Sequence, residues 1–272
     1  MNNKNIFVLY HKNCLDGFGS AFICWLKFGD RAEYIPVQYN EEPPNVSGKE
    51  LYIVDFSYPR DILLEMKKKA LSIVVLDHHK TAEESLKDLD FTIFNMEKSG
   101  VGITWEYFYK NQEMPMFLQY IQDRDLWKFE FGNTTKAFTK VLYDIVGFDF
   151  NEWKKLLSHE KVSELLTLGE KLLKIEKNQI EYYAKISHDI VLDGIKGKAC
   201  NAPKHLTSEL GNELARHSKT FGLVYNYNGD IKKWIYSLRS VGNFDVSKIA
   251  LKYGGGGHRN AAGFITETLL NF

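Results

Sequence analysis

Two clusters of residues in this chain have side chains and backbones suited to phosphate chemistry. Asp77-His78-His79 directly follows an apolar run at residues 71–76, and four glycines at 254–257 precede His258. Imidazole nitrogens and carboxylate oxygens bind divalent transition metals. Successive glycines allow backbone N–H groups to converge on an anion. The two clusters together predict a metal site and a phosphate-binding pocket.

Further candidate metal ligands follow short apolar runs in the first half of the chain. His11 comes after residues 6–10 and Asp55 after residues 51–54. Ligands of parallel α/β sheets bind beyond the carboxyl ends of the strands, so we expect these side chains to meet. The residues that could supply such a metal-ligand set are His11, Asp16, Asp55, His78, His79 and Asp123.

A catalytic role is predicted for a smaller set: Asp55, Asp77, His78 and His79. Two divalent ions about 3.5–4 Å apart can share a bridging hydroxide and clamp a phosphoryl oxygen. Asp55, at the end of a central strand, is the expected bridging carboxylate. Asp77 is expected to accept a hydrogen bond from a neighbouring ligand histidine and so fix its tautomer.

Each of these features also has a purely structural interpretation. His11 could be an ordinary residue after a strand, and Asp55 could begin a turn or cap a helix. Asp123 and Asp125 could belong to a solvated helix face, and the glycine run could be a flexible loop. The sequence keeps these alternatives open for each residue taken alone.

Apolar periodicity predicts an α/β fold with three segments. Residues 1–132 alternate short β-rich runs with helical patterns, which is typical of a parallel sheet covered on both faces. Residues 133–187 are almost wholly helical in pattern and are expected to link two domains. Residues 188–272 return to short strands and helices and form a smaller second domain.

The composition favours a small substrate. The chain has 272 residues, 44% of them hydrophobic, with 35 basic and 35 acidic side chains. Binding to long duplexes depends on neutralising many phosphates, and this chain has no excess of basic residues for that purpose. The cysteines Cys14, Cys24 and Cys200 form no CxxC pair, which favours a reducing compartment. The apolar run ending at Tyr10 is too short to span a membrane. We therefore expect a cytoplasmic protein with no membrane association and no obligate protein partner.

The motifs resemble those of the DHH phosphoesterase superfamily, in the nanoRNase and RecJ-like branch that has a DHH-associated C-terminal domain. The resemblance runs from residues 11–20 through Asp55, Asp77-His78-His79 and Asp123 to the glycine run. It implies two α/β domains on a helical linker, with the active site in the cleft between them. It also implies a set of five metal ligands: His11, Asp16, Asp55, His78 and Asp123, with Asp125 as an alternative to Asp123. By the same likeness, His79 faces the scissile phosphate. A second group is implied to hold the rest of the substrate: Arg239, Ser240, Gly255, Gly256, Gly257 and His258.

The function implied is a manganese-dependent phosphohydrolase that cleaves phosphodiester bonds of short oligonucleotides or small nucleotides with a metal-activated water. Two Mn²⁺ ions are expected, with Mg²⁺ as the alternative ion. Cys14 stands where the family commonly has an aspartate, so the site that includes His11 is expected to be weak or to use a soft ligand. The alternatives are a phosphatase for a small nucleotide, cyclic dinucleotide or polyphosphate, and a nucleotide-binding protein that has lost catalysis.

Overall fold

A computed structural model describes residues 4–39 and 41–272 of the chain. The chain divides into two compact units, Met1–Leu173 and Lys174–Phe272, each with its own sheet and hydrophobic core. Within the described residues, no helix combines the length and the apolar character needed to cross a lipid bilayer.

The first unit is built on a five-stranded sheet in which every pair of neighbouring strands is parallel. Its strands are β1 (Ile6–His11), β2 (Ala32–Val37), β3 (Glu50–Val54), β4 (Ser72–Asp77) and β5 (Thr92–Phe94). Their order is β2-β1-β3-β4-β5, so β2 lies on one side of β1 and the later strands lie on its other side. Such a reversal leaves a crevice beyond the carboxyl ends of β1 and β3, where ligands of α/β sheets bind.

Helices follow most of these strands. They are α1 (Leu15–Phe28), α2 (Arg60–Lys69), α3 (Lys80–Leu86), α4 (Gly100–Tyr109), α5 (Met116–Asp125), α6 (Asn133–Val141) and α7 (Phe150–Lys155). A long helix, α8 (His159–Lys185), contains the boundary between the two units. Short 3-10 turns at Gly29–Arg31 and Lys204–Leu206 and a π-helical turn at Leu142–Val146 complete the helical segments.

Burial on both faces explains why the strands of this sheet are continuous apolar runs. Leu9 belongs to the same buried cluster as Leu63 and Met66 of α2, whereas its neighbour Val8 belongs to a second cluster with Ile103 of α4. Successive strand residues point to opposite faces, so both must be apolar when helices cover both faces. The predicted α/β architecture with a parallel N-terminal sheet is confirmed.

An aromatic cluster fixes α1 against the neighbouring helices. Phe22 and Trp153 are fully buried, and Phe18 stacks on Phe150 with ring centroids 4.7 Å apart. Large aromatic side chains contribute much of the energy of such cores. The packing holds the first turn of α1, which carries Asp16, in a fixed position.

The second unit contains a six-stranded sheet with the order β10-β11-β9-β8-β7-β6. Its strands are β6 (His188–Leu192), β7 (Ile195–Asn201), β8 (Phe221–Asn228), β9 (Lys233–Ser240), β10 (Gly256–His258) and β11 (Ala261–Thr266). Only the β7–β8 pair is parallel among these described strands. Helices α9 (Thr207–Ser218) and α10 (Ser247–Lys252) accompany the sheet. Leu223 and Val224 belong to two different buried clusters, so this sheet is also covered on both faces.

Some elements differ from the expected pattern. β5 and α3 are short elements that apolar periodicity did not indicate. The glycine run is not an open loop, because Gly256, Gly257 and His258 pair antiparallel with Gly263, Ala262 and Ala261. Glycine and alanine on both strands permit the close approach: a β-carbon on Gly255 would lie 2.1 Å from the Gly263 carbonyl oxygen.

Candidate metal centre

Three adjacent parallel strands place candidate ligands at the same sheet edge. His11 is the last residue of β1, Asp55 follows β3, and His78 follows β4. Asp55 has a φ of 55°, a left-handed conformation that is uncommon for residues other than glycine. Its backbone N–H donates to the carbonyl of Leu76, 2.9 Å away, which holds the turn after β3 against β4. Strain of this kind is often found at functional sites.

The His78 imidazole lies among three carboxylates. Its Nε2 atom is 3.1 Å from Asp55 Oδ1, 3.4 Å from Asp125 Oδ2 and 3.7 Å from Asp16 Oδ2. His11 approaches Asp55 from the other side, with Nδ1 3.6 Å from Oδ2. The structure therefore brings together four of the five predicted ligands.

Asp16 is held by the beginning of α4. Its carboxylate accepts hydrogen bonds from Ser99 Oγ at 2.7 Å, from the Val101 N–H at 3.0 Å and from the Gly100 N–H. The first N–H groups of a helix lack partners within the helix and favour an anion. Sequence reasoning assigned no role to Ser99 and Gly100, although the Ser-Gly pair that opens a helix was a usable signal.

Gly100 is required by the close approach of α4 to the ligands. A β-carbon at this position would lie 2.5 Å from the β-carbon of Asp55 and 2.7 Å from Asp16 Oδ2. Real side chains do not approach so closely, so only glycine fits without a shift of the two carboxylates.

Asp77 accepts hydrogen bonds from its two histidine neighbours. Its Oδ1 accepts from the backbone N–H of His78 at 2.8 Å and lies 2.7 Å from Nδ1 of His79. Ser57 Oγ donates to the other oxygen, Oδ2, at 2.5 Å. The carboxylate favours a proton on Nδ1 of His79 and leaves Nε2 of that ring available. Ser57 is a further residue that sequence reasoning missed, although it follows Asp55 by only two positions.

Asp123 and Asp125 have different surroundings. The Asp123 carboxylate is buried and accepts from the Glu130 N–H at 2.7 Å, the Phe131 N–H at 3.3 Å and the Thr135 hydroxyl. It stabilises the loop after α5 and does not join the cluster around His78. Asp125 lies beside His78 instead. The structure thus places the alternative residue, rather than Asp123, among the candidate ligands.

Burial and mutual charge shift the pKa values of this cluster. Desolvation, followed by the charges of Asp55 and Asp125, raises the pKa of Asp16 well above its usual range. Desolvation and the charge of Asp55 raise the pKa of Asp125 to about 6. Three carboxylates in one pocket repel one another, and a cation relieves that repulsion.

The two central groups shift in the opposite sense. Burial by itself opposes the charged form of Asp55, but the His11 and His78 imidazoles outweigh it and lower the pKa of that carboxyl. Burial also opposes the charged form of His78, yet the hydrogen bond to Asp55 and the charges of Asp16 and Asp125 raise its pKa to about 10. In the metal-free protein the protonated His78 ring therefore supplies the positive charge among these carboxylates, which a metal ion would otherwise supply.

The donor set fits divalent ions. Three groups have ligand atoms within 4.8 Å of one another: His11, Cys14 and Asp55; Asp55, His78 and His79; and Asp16, His78 and Asp125. Asp55 Oδ2 is buried and has no hydrogen-bond partner among the described residues. A buried carboxylate oxygen without a partner is costly, so this atom is suited to bind a cation.

The predicted substrate-binding residues lie in the second unit. Arg239 is on β9, where its guanidinium donates to Ser208 Oγ at 3.1 Å and to the Leu238 carbonyl at 2.9 Å. Ser240 is buried, and its hydroxyl donates to the Phe244 carbonyl at 2.7 Å. Ser240 therefore stabilises the segment after β9, while the Arg239 guanidinium is only partly engaged.

The glycine run is held by backbone hydrogen bonds and is not an open anion-binding loop. The N–H of Gly255 donates to the Ala250 carbonyl at 2.9 Å and is not available to a ligand. Gly256 and Gly257 belong to β10 at the edge of the sheet, and His258 is exposed there. Because β10 is an edge strand, ligand contacts can come only from groups that its pairing with β11 leaves free.

No protein-family model matches this chain. It is 39% identical over 282 residues to the uncharacterized protein R106 of Acanthamoeba polyphaga mimivirus, covering 94% of this chain and 66% of that relative. The chain thus spans slightly less than two thirds of the length of R106. It is 26% identical to oligoribonuclease NrnB of Bacillus subtilis, over 95% of this chain and 72% of NrnB.

Two solved structures share the fold. The pGpG-specific phosphodiesterase PggH of Vibrio cholerae superposes with a TM-score of 0.55 at 14% identity, over 96% of this chain and 92% of PggH. RecJ of Thermus thermophilus in complex with Mn²⁺ gives a TM-score of 0.53 at 14% identity, over 97% of this chain and 50% of RecJ. Together with the Asp77-His78-His79 motif at a strand end and the carboxylate-rich cluster around it, the similarity to NrnB, PggH and RecJ indicates a member of the DHH phosphoesterase superfamily, in the nanoRNase and RecJ-like branch.

Proposed function

We propose that this protein is a metal-dependent phosphodiesterase that hydrolyses dinucleotides and short oligonucleotides, with Mn²⁺ as its ion. The observation that carries the proposal is the cluster of Asp16, Asp55 and Asp125 carboxylates around His78 Nε2, with the buried Oδ2 of Asp55 left without a hydrogen-bond partner among the described residues. NrnB is named an oligoribonuclease and PggH a pGpG-specific phosphodiesterase, which supports short substrates. The equal numbers of acidic and basic residues agree with a short substrate.

The proposed ligands divide between the two oxygens of Asp55. On the Oδ1 side, Asp16, His78 and Asp125 would hold one ion, and on the Oδ2 side His11 would contribute to a second. We assign Asp125 in place of Asp123, because the Asp123 carboxylate is fully engaged by its own loop. A divalent ion at such a site lowers the pKa of water and polarises phosphoryl oxygens.

The remaining residues position the substrate. We assign His79 to the phosphate, because Asp77 fixes its Nδ1 and leaves Nε2 free to donate or accept a proton. We assign Arg239 in the second unit to a phosphate of the substrate, because its planar guanidinium matches the geometry of phosphate oxygens. We propose that residues 1–132 carry the metal and catalytic groups, that 133–187 act as a helical linker, and that 188–272 bind substrate. We also propose a cytoplasmic location, which agrees with nucleotide chemistry.

The test is a substrate screen with the full chain. Dinucleotides, longer oligonucleotides, cyclic dinucleotides and mononucleotides are incubated with Mn²⁺, with Mg²⁺ and with a chelator, and the products are separated by chromatography. We expect Mn²⁺-dependent hydrolysis of dinucleotides that the chelator and Asp55→Asn abolish. Release of phosphate from mononucleotides alone would indicate a phosphatase. Tight nucleotide binding with no hydrolysis above that of Asp55→Asn would indicate a binding protein.

A further inference from the structure

Cys14 lies between β1 and α1, within reach of two candidate metal ligands. Its sulfur, a His11 ring nitrogen and an Asp55 carboxylate oxygen all lie within 4.8 Å of one another. The backbone of Cys14 is extended (φ −121°, ψ 137°), and its carbonyl accepts the N–H of Phe18 in the first turn of α1. The side chain makes no capping hydrogen bond to the helix. The fold thus fixes the residue with its sulfur beside the two candidate ligands.

A second, independent observation at this place indicates a cation. Asp55 is 1% exposed, and its Oδ2 atom has no hydrogen-bond partner among the described residues. The nearest ring nitrogen, Nδ1 of His11, is 3.6 Å away and beyond hydrogen-bond distance. The other oxygen, Oδ1, faces His78. Asp55 therefore directs an unsatisfied oxygen into the space that His11 and Cys14 border.

The two sides of Asp55 differ in chemical softness. The side of Asp16, His78 and Asp125 offers carboxylate oxygens and one imidazole, a set that suits Mn²⁺. The side of His11 offers a nitrogen, an oxygen and a sulfur. Thiolate sulfur favours Zn²⁺, Co²⁺ and Cd²⁺ over Mn²⁺.

We propose that His11, Cys14 and Asp55 form a thiolate-containing metal site that selects thiophilic divalent ions, so that the two sites of this chain prefer different metals. Cys14 binds as the thiolate, and its proton passes to solvent when the ion enters. The inference rests on the metal centre of the proposed function but is independent of its substrate.

Cobalt spectroscopy tests the sulfur ligand directly. The full chain is stripped with a chelator and titrated with Co²⁺, because a cobalt–thiolate bond absorbs in the near ultraviolet while oxygen and nitrogen ligands do not. We expect this band in the wild type, its loss in Cys14→Ser and its retention in Cys200→Ser. Cys200 is a matched control, since its sulfur lies on β7 and donates to the Tyr183 carbonyl.

Calorimetry tests the change of preference. We expect Cys14→Asp, which restores a hard oxygen ligand, to lower the ratio of Cd²⁺ to Mn²⁺ affinity by at least about tenfold. Wild-type protein that binds cobalt without the near-ultraviolet band would overturn the proposal, as would a band that Cys14→Ser retains. If the Cys14 variants fail to fold, a wild-type band that survives both Cys200→Ser and Cys24→Ala still assigns the sulfur to Cys14. Loss of dinucleotide hydrolysis with an intact band would count against the proposed function alone.

Discussion

At the scale of single residues, the two aspartates at the end of α5 make different contacts. Asp123 accepts hydrogen bonds from Glu130, Phe131 and Thr135, whereas Asp125 faces His78. Residues two apart on a helix project about 160° away from each other, so the two carboxylates face different surroundings. Of the two, Asp125 is the one placed beside the candidate metal centre.

Replacing the two aspartates separately should change metal binding in one variant and the free energy of unfolding in the other. We expect Asp125→Asn to weaken Mn²⁺ binding by roughly two orders of magnitude with little change in unfolding. Asp123→Asn should lower the free energy of unfolding by about 1–3 kcal/mol, because buried donors lose a charged acceptor. Calorimetric titration and chemical denaturation of the two variants measure the two effects. Equal Mn²⁺ affinity in Asp125→Asn and wild type would contradict the assignment.

The ionisation of the same residues predicts how metal affinity depends on pH. The pKa of His78 is raised to about 10, so this ring carries a proton in the metal-free protein at neutral pH. An ion must displace that proton, so affinity should rise with pH by about tenfold per unit for each proton released. Below the pKa of Asp125, about 6, a further proton must leave and the slope should steepen.

Titrations in two buffers of different ionisation enthalpy measure this proton release. We expect at least about one proton per bound ion between pH 6 and 8. An affinity that stays constant across this range would show that His78 is not a ligand. Asp125→Asn serves as the comparison, because it should remove the steeper slope below pH 6.

At the scale of elements, the start of α4 supports the candidate metal centre without contributing one of its proposed ligands. The N–H groups of Gly100 and Val101 hold Asp16, and Gly100 also borders Asp55. A helix N-terminus is suited to fix a carboxylate whose charge the neighbouring aspartates oppose. The position of α4 therefore sets the separation of Asp16 and Asp55.

Gly100→Ala should disturb the centre by steric displacement. A β-carbon there would lie 2.5 Å from the Asp55 β-carbon, so α4 or the two aspartates must shift. We expect Mn²⁺ affinity to fall by about tenfold or more, together with a loss of stability of about 1–3 kcal/mol. Gly229→Ala is a matched control, because a β-carbon at that glycine meets nothing within 4 Å. Unchanged Mn²⁺ affinity in Gly100→Ala would contradict the supporting role of α4.

At the scale of the whole molecule, the proposed metal ligands and the proposed substrate-binding arginine belong to different compact units. His11, Asp55 and His78 lie in Met1–Leu173, and Arg239 lies in Lys174–Phe272. Effects on ion binding and on substrate binding should therefore be separable. Variants in one unit provide controls for the other.

Replacing Arg239 should affect substrate affinity alone. Loss of a charge-assisted hydrogen bond to phosphate is worth about 1.5–3 kcal/mol, so we expect Arg239→Ala to raise KM for a dinucleotide by roughly 10- to 100-fold. Mn²⁺ affinity should stay at the wild-type value. Arg216→Ala is the control, because this exposed arginine pairs with Glu213 on α9. A similar KM for Arg239→Ala and Arg216→Ala would rule out the substrate role.

The amino-acid sequence by itself determined the α/β fold, the parallel sheet of the first unit and the strand ends that carry His11, Asp55 and His78. It could do so because burial on both sheet faces requires continuous apolar strands, and polar residues at their ends then mark the ligand edge. Only the tertiary structure decided that Asp125 rather than Asp123 faces His78, that Ser99 and Gly100 hold Asp16, and that Gly256–His258 is a strand. These features depend on contacts between residues distant in the chain, which local periodicity does not encode.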